Sequence, residues 1–175
     1  MSENTENQNP ESANGEAQGP QFDVLRIYSK DCSLETPNVP EVFRLEWKPK
    51  LKVEFDSKPT ALEDDLHEVD LRVTVTCTID ETVVYVCEVH QAGLFLIKNV
   101  PAEALEYLLA AQAPNILFPY AREHIASLIN RSTFPPLNLR PINFEGLFRA
   151  RKAQEAQEAK GQQEQSSAPA DGAQS

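Results

Sequence analysis

The side chains that could carry out chemistry in this chain include three histidines and two adjacent aspartates. His67, His90 and His124 show no H-x-x-x-H or H-E-x-x-H spacing, the patterns that place zinc ligands on one face of a helix. Asp64 and Asp65 stand in a predicted turn, where carboxylates are solvated rather than paired as an acid and a base. We therefore expect no metal site and no acid–base pair.

The cysteines also argue against catalysis. Cys32, Cys77 and Cys87 are an odd set with no C-x-x-C spacing, which favours free thiols that pack as small side chains in a reducing compartment. Cys87 and His90 are three residues apart on a predicted strand, so they should point to opposite faces. The 175 residues contain six glycines and no G-x-S-x-G, P-loop or G-x-G-x-x-G motif. We expect neither an enzyme nor a cofactor.

The charge and the apolar pattern exclude further classes of partner. The formal net charge is −11, from 27 acidic and 16 basic residues, which disfavours nucleic acid and anionic membrane surfaces. No run of about 18 apolar residues occurs, and the N-terminus lacks the basic and apolar regions of a signal peptide. The sequence predicts a cytoplasmic protein that does not insert into a membrane.

The composition predicts one domain between two tails. Residues 1–20 and 152–175 are rich in Asn, Gln, Glu, Ala, Ser and Gly, and they cannot bury enough apolar surface to fold alone. We therefore place a single domain at residues 21–151, between a disordered N-terminal tail and a flexible acidic and polar C-terminal tail. We expect the last helix to fray near Lys160 and to end at Gly161.

The sequence of the first half of the domain predicts β-strands. In EVDLRVTVT the apolar residues Val69, Leu71, Val73 and Val75 alternate with polar ones, which predicts a strand with one wet face. KLKVEFD repeats this alternation with Leu51, Val53 and Phe55, and TVVYVCEVHQAGLF follows a turn near Asp80. Such alternation is typical of an antiparallel sheet.

The second half has helical periodicity, so we predict an α+β domain. One helix begins at Pro101 and should end at Pro114, and a second should carry Pro119 near its first turn. A third should begin at Phe144 with Asn143 as its N-cap.

An apolar loop, Thr133 to Phe144, lies between the last two helices, and an irregular, proline-rich connection follows the first strand. Two interpretations of the apolar side chains in this loop and this connection stay open. The side chains form either a core beneath long crossovers, or a groove that holds an extended chain by burial and strand-like hydrogen bonds. The groove candidates are Phe43, Trp47, Phe55, Phe134, Leu137, Leu139, Ile142 and Phe144.

Five segments in order carry a resemblance to a known family: RIYSKDCSLETPNVP, LRVTVTCTI, CEVHQAGLF, PNILFPYARE and TFPPLNLRPINF. From about residue 22 to residue 148 the chain resembles SecB, a family of export chaperones of Gram-negative bacteria. The resemblance implies a four-stranded antiparallel sheet with a Greek-key connection, packed against helices and assembled as a homotetramer, a dimer of dimers. It implies that unfolded precursor proteins are held in the cytoplasm and delivered to the translocase motor SecA, without ATP or a cofactor.

The resemblance also implies roles for residues. Asp31, Glu35, Val86 and Glu88 match the family positions that bind SecA on the outer face of the sheet, although Val86 stands where leucine is usual. The family's client groove matches the connection, the strand around Phe55 and the apolar loop. As the interface between dimers we suggest the first helix, whose small residues suit close approach: Leu105, Leu108, Leu109, Ala110 and Ala111.

Two alternatives to the export chaperone stay open. Some SecB-like proteins serve toxin–antitoxin systems, so an adaptor or chaperone of such a system is one. A small hydrolase, built from Cys87, a histidine and an acidic residue converging in space, is the other.

Overall fold

Four long strands precede the helices, as the change of period predicts. The computed structural model describes residues 19–166, with side chains described for residues 19–159. Most of the predicted N-terminal tail and the last nine residues of the chain, 167–175, lie outside the described residues. The strands are β1 (Gln21–Glu35), β2 (Lys50–Ala61), β3 (Leu66–Ile79) and β4 (Thr82–Lys98).

The four strands form one antiparallel sheet in the order β1-β4-β3-β2. β2, β3 and β4 are joined in sequence by short turns, and β1 lies beside β4 at the opposite edge from β2. The crossover connection, residues 36–49, therefore has to travel from one edge of the sheet to the other, which is a Greek-key arrangement. The predicted α+β fold, with a four-stranded antiparallel sheet packed against helices, is confirmed.

The core forms on the inner face of the two central strands. Val69, Leu71, Val73 and Val75 of β3 are fully buried, as the alternation predicts, and Cys87 and Val89 of β4 lie beside them. The helix α2 (Ala113–Arg131) covers these strands with residues spaced at three and four. The fully buried apolar side chains of α2 include Ala113, Pro114, Leu117, Ala121, Ile125 and Ile129.

The edge strand β2 is exposed on both sides. Leu51, Val53 and Phe55 lie on the inner face, because they pair with buried residues of β3, yet they are 46%, 38% and 40% exposed. The reason is that α2 packs on β3 and β4. Period-two alternation predicts which face a side chain occupies, but not whether another element covers that face.

The free edge of β2 carries residues that discourage strand pairing. Pro59 lies within the strand and has no N–H to donate, and lysines occupy positions 50, 52 and 58. Proline is tolerated in strands mainly at such edges.

The prediction that a helix ends at Pro114 was wrong. α1 (Ala102–Tyr107), a π turn (Leu108–Gln112) and α2 follow one another without a break in helical dihedral angles. A proline ring collides with the carbonyl four residues earlier in a regular α-helix, which for Pro114 is that of Ala110. Because Ala110 lies in the wider π turn, the helix can continue.

The position of Pro119 was also predicted wrongly. It lies in the interior of α2 rather than near a first turn, because the helix begins earlier than the sequence suggests. Its ring is on the exposed side of the helix, where the carbonyl left without an N–H partner can bind water.

The third helix, α3 (Phe144–Ser166), begins where predicted. The Asn143 Oδ1 atom accepts a hydrogen bond from the Gly146 N–H at 2.9 Å, which confirms Asn143 as the N-cap. The prediction that this helix ends at Gly161 was wrong, since the backbone stays helical to Ser166. One glycine costs a helix only about 1 kcal/mol, and strong helix formers surround it.

Candidate functional site

The structure brings the four predicted SecA-binding residues together on the outer face of the sheet. In the β1–β4 register Asp31 lies opposite His90, and Glu35 lies opposite Val86. Glu88 shares the face of Val86, two residues away on the same strand, and directly paired residues point to the same side. We call Asp31, Glu35, Val86 and Glu88 the docking face. Their role in binding SecA stays a prediction.

The carboxylate of Glu88 is held in place by its neighbours. Its Oε2 atom accepts a hydrogen bond from the Thr74 hydroxyl at 2.7 Å, and its Oε1 atom lies 3.4 Å from His90 Nε2. The Thr74 hydrogen bond and, more weakly, the His90 contact lower the pKa of Glu88, against the opposing effect of partial burial. Glu88 is therefore a fixed negative charge at neutral pH.

A polar network extends from the docking face across β3 to β1. His90 Nδ1 lies 3.1 Å from Asp70 Oδ1, and the Lys30 ammonium lies 3.7 Å from Asp70 Oδ2 and 2.8 Å from Glu68 Oε2. The Tyr28 hydroxyl donates to the second oxygen of Glu68. Sequence reasoning missed this network. The outward alternation of Glu68 and Asp70, and the position of His90 two residues after Glu88, were the signals that could have found it.

The Glu68 contacts predict a pH-dependent contribution to stability. The Lys30 and Tyr28 hydrogen bonds lower the pKa of Glu68, so its ionised form is favoured in the folded state. We expect Glu68→Gln to reduce the free energy of unfolding by about 1 kcal/mol near pH 7, with the difference vanishing as the pH falls through about 4 and below. Urea unfolding of both proteins from pH 3 to 8 measures this. A constant difference across that range would contradict it.

The crossover connection and the apolar loop meet in a first aromatic cluster. The rings of Phe43 and Trp47 lie 5.3 Å and 6.1 Å from the ring of Phe134, which rests on Tyr85 at 5.3 Å. Phe134 is 4% exposed, whereas Phe43 is 52% exposed. The short 3-10 helix of the connection, Glu41–Arg44, places Val42 in the core and so turns its neighbour Phe43 outward. The cluster has a buried floor and an exposed upper side.

A second aromatic cluster lies between β2 and α3. The ring of Phe144 packs edge-on against Phe55 at 5.7 Å and against Phe118 at 5.9 Å. Beside it is a cavity of about 440 Å³ lined by β2, the π turn and α3, including Leu109. The Ser57 hydroxyl faces this region from β2, is buried, and has no hydrogen-bond partner in the described part of the chain. The cavity lining is mixed, since Leu109 lies beside the ion pair of Arg151 with Glu106.

The core interpretation holds for only some of the apolar residues. Phe134, Leu139 and Phe144 belong to the core, and Leu137 and Ile142 pack against it while partly buried. The exposed candidates are Phe43, Trp47 and Phe55. That these residues bind a client stays a prediction.

Comparison with known proteins gives the family. The family model described as "Preprotein translocase subunit SecB" matches residues 15–155. The chain belongs to the SecB family. The "Protein-export protein SecB" of Idiomarina loihiensis is 47% identical over 156 residues, covering 89% of this chain and 93% of that protein.

A solved structure extends the SecB comparison to the fold. A SecB-like chaperone of Mycobacterium tuberculosis, solved with a peptide from an antitoxin, has a TM-score of 0.58 with 19% sequence identity. The structural match covers 69% of this chain and 90% of the mycobacterial chain. At this identity the likeness concerns the fold alone.

The predicted interface between SecB dimers needs one correction. Leu105, Leu108, Leu109 and Ala110 are partly exposed and available for contact. Ala111 is only 2% exposed because it packs into the core of its own chain, so it has no surface to offer a second copy. The other four residues stay a prediction.

The residues considered for catalysis are separated in this SecB chain. Cys87 lies on the buried inner face of β4 and His90 on the outer face, as the alternation predicts. Burial raises the pKa of Cys87 to about 11, so the thiol is protonated at neutral pH. Within the described residues, no three His, Cys, Asp or Glu side chains are grouped to hold a metal ion. None of the helices described is long and apolar enough to cross a membrane.

Proposed function

We propose that this SecB protein is a cytoplasmic export chaperone that binds unfolded precursor proteins, keeps them competent for translocation and delivers them to SecA. It does so without ATP, a cofactor or catalysis. The observation that carries the proposal is the pair of aromatic clusters, in which exposed rings pack against buried aromatic rings. The chain that contains them belongs to the SecB family. The name of its relative, a protein-export protein, supports the same function.

Client binding would combine two elements of the groove. Phe43, Trp47 and Phe55 offer exposed apolar rings. The free edge of β2 adds unpaired backbone groups beside them. Apolar contacts and backbone hydrogen bonds make little demand on sequence, as a chaperone with many clients requires.

Selectivity for export precursors would be largely kinetic. At micromolar chaperone, association at about 10⁵ to 10⁷ M⁻¹s⁻¹ gives capture at roughly 0.1 to 10 per second. Small domains fold at about 1 to 10⁵ per second, so most of them escape and slow folders are caught. Proteins dominated by non-local β pairing are among the slow folders.

The groove and the docking face lie on different sides of the sheet. Phe55 is on the inner face of β2, whereas Glu88 is on the outer face of β4. A client and SecA could therefore be bound by one chain at the same time. A basic segment of SecA would be attracted by Asp31, Glu35 and Glu88, because opposite charges favour association and fix its orientation.

Assembly as a homotetramer, a dimer of dimers, would place several grooves on one particle. A long unfolded client could then occupy more than one groove, and each added contact would act at high effective concentration. We propose the exposed parts of Leu105, Leu108, Leu109 and Ala110 as the interface between dimers.

Service to a toxin–antitoxin system is the second candidate. The related fold from Mycobacterium tuberculosis was solved with an antitoxin peptide, and the groove proposed here would suit such a peptide equally well. The docking face distinguishes the two functions, since an adaptor for an antitoxin has no need of SecA. Pull-down with purified SecA separates them.

The exposed ring of Phe43 provides the test of the groove. We expect Phe43→Ser to weaken the binding of an unfolded, slow-folding precursor about tenfold, because removing a large aromatic contact costs about 1–2 kcal/mol. The matched control is Leu62→Ser, since Leu62 is 50% exposed but lies in the β2–β3 turn. Binding is measured by the delay that the chaperone causes in precursor refolding.

The refolding assay also tests the function itself. Delayed refolding with the unmodified protein and with Leu62→Ser, but less with Phe43→Ser, supports a holdase that uses the groove. No delay with any of the three proteins would reject the export chaperone in favour of the adaptor. Equal delay with all three would leave a holdase but place its groove elsewhere.

A further inference from the structure

His90 stands between two carboxylates on the outer face of β4. Its Nδ1 atom lies 3.1 Å from Asp70 Oδ1, and its Nε2 atom lies 3.4 Å from Glu88 Oε1. A neutral imidazole has one N–H and can donate to only one of them, so its other nitrogen turns a lone pair toward a carboxylate. An imidazolium donates to both. The number of satisfied contacts therefore depends on the protonation of His90.

The distances indicate which contact is lost when His90 is neutral. Because Asp70 is the closer partner and approaches Nδ1 with both carboxylate oxygens, at 3.1 Å and 3.3 Å, the single proton belongs on Nδ1. The lone pair of Nε2 then faces Glu88. Glu88 thus forms an ion pair with His90 only when His90 is charged, whereas it accepts the Thr74 hydrogen bond in both states.

The other charges around His90 come from three strands. The ring is 25% exposed, so solvent and a bound partner can reach it. Lys30 approaches Asp70 from β1, and Asp56 of β2 lies 4.0 Å from Arg72. The charged or titratable groups that face His90 are Asp31 on β1, Asp70 and Arg72 on β3, and Glu88 on its own strand.

We propose that His90 makes the docking face sensitive to pH by competing with a basic partner for Glu88. When His90 is protonated, it pairs with Glu88 and reduces the negative charge that the face presents. When His90 is neutral, Glu88 is available to a lysine or arginine of the partner. The inference rests on the proposed docking of SecA at this face and adds a residue that controls it.

The test compares SecA binding to the full-length protein at pH 7.5 and pH 5.8, at one ionic strength, by calorimetry. His90→Gln removes the titration while keeping a polar side chain of similar reach, and His124→Gln on α2 is the matched control. From pH 7.5 to pH 5.8 we expect the affinity of the unmodified protein to fall about threefold more than that of His90→Gln. His124→Gln should follow the unmodified protein. Titration of groups on SecA affects both proteins equally, so it cancels in the ratio of the affinity of the unmodified protein to that of His90→Gln.

Two results would overturn the inference, and they are distinguishable. If SecA binds but the ratio of the two affinities is the same at both pH values, His90 has no such role and the docking face stands. If SecA binds none of the proteins at either pH, the docking function and the inference fail together. As a readout that a merely structural role would not move, NMR should show His90 Nε2 and the Glu88 side-chain carboxyl carbon shifting at one common pH.

Discussion

Replacing Glu88 with lysine is expected to reduce the affinity for SecA about 100-fold, or about 2.7 kcal/mol, while client capture stays unchanged. Glu88 lies at the centre of the docking face, and its carboxylate is fixed by the Thr74 hydroxyl at 2.7 Å. A basic partner would lose an oriented negative charge and meet a positive one. The groove that we propose lies on the inner face of the sheet, so we expect the change to leave client binding unaffected.

The control for Glu88→Lys is the same charge reversal elsewhere on the outer face. Glu54 of β2 lies opposite Thr74 in the next strand, is 57% exposed and pairs with Lys52 at 2.8 Å. We expect Glu54→Lys to weaken SecA binding no more than threefold, through the change in net charge alone. Calorimetry gives the affinities, and precursor refolding shows whether the chaperone is intact. Equal loss in both variants would mean that SecA senses the overall charge and not the docking face.

Truncation of Leu117 to alanine is expected to lower the free energy of unfolding by about 2–5 kcal/mol. Leu117 is fully buried on α2 at the point where this helix covers the centre of the sheet. Its Cδ2 atom lies only 3.0 Å from the position that a Cβ atom on Gly93 of β4 would occupy. The absence of a side chain at Gly93 is thus what allows the helix to approach the strand so closely.

Gly93 provides the partner for a double-mutant cycle. A side chain there would also meet Phe95 Cε2 at 2.9 Å, so Gly93→Val should cost about 1–3 kcal/mol by overpacking. Because Leu117→Ala removes the atom that a new side chain would strike, we expect the double variant to be about 1 kcal/mol more stable than the sum of the single effects predicts. Urea unfolding at one protein concentration measures the three values. Strict additivity would show that Phe95 alone limits the space.

The parts of the fold that follow from local pattern could be predicted from the sequence. Alternation in β3 predicted its buried face residue by residue, because a strand between two neighbours and beneath a helix has one dry side. Asn143 was predicted as an N-cap because that role depends on a single side chain and the next three residues. Pro114 misled the prediction because the π turn that accommodates it has no simple signature in sequence.

The site was harder to predict, because it depends on which elements meet. The apolar candidates could be named, but Phe134 proved to be a buried floor and Phe43 an exposed ring, a distinction that only packing decides. Asp31 and Glu35 are four residues apart and Val86 and Glu88 are two apart, so each pair was expected on one face of its strand. The family resemblance implied that the two pairs share one surface. The contact of His90 with Asp70 depends on the pairing of β4 with β3, which the residues alone do not specify.

The protected edge of β2 bears on how this protein stays in solution. A chaperone has to expose apolar side chains and unpaired backbone groups to unfolded chains. The same surface can promote polymerisation of the chaperone itself through strand pairing. Pro59 interrupts any continuous ladder along that edge, and charged side chains such as the lysines at 50, 52 and 58 would have to be accommodated by a second strand. An unfolded client is flexible and can bridge the proline, whereas a second rigid sheet cannot. The β2 edge can thus bind an unfolded client and still disfavour strand pairing between folded copies of this chain.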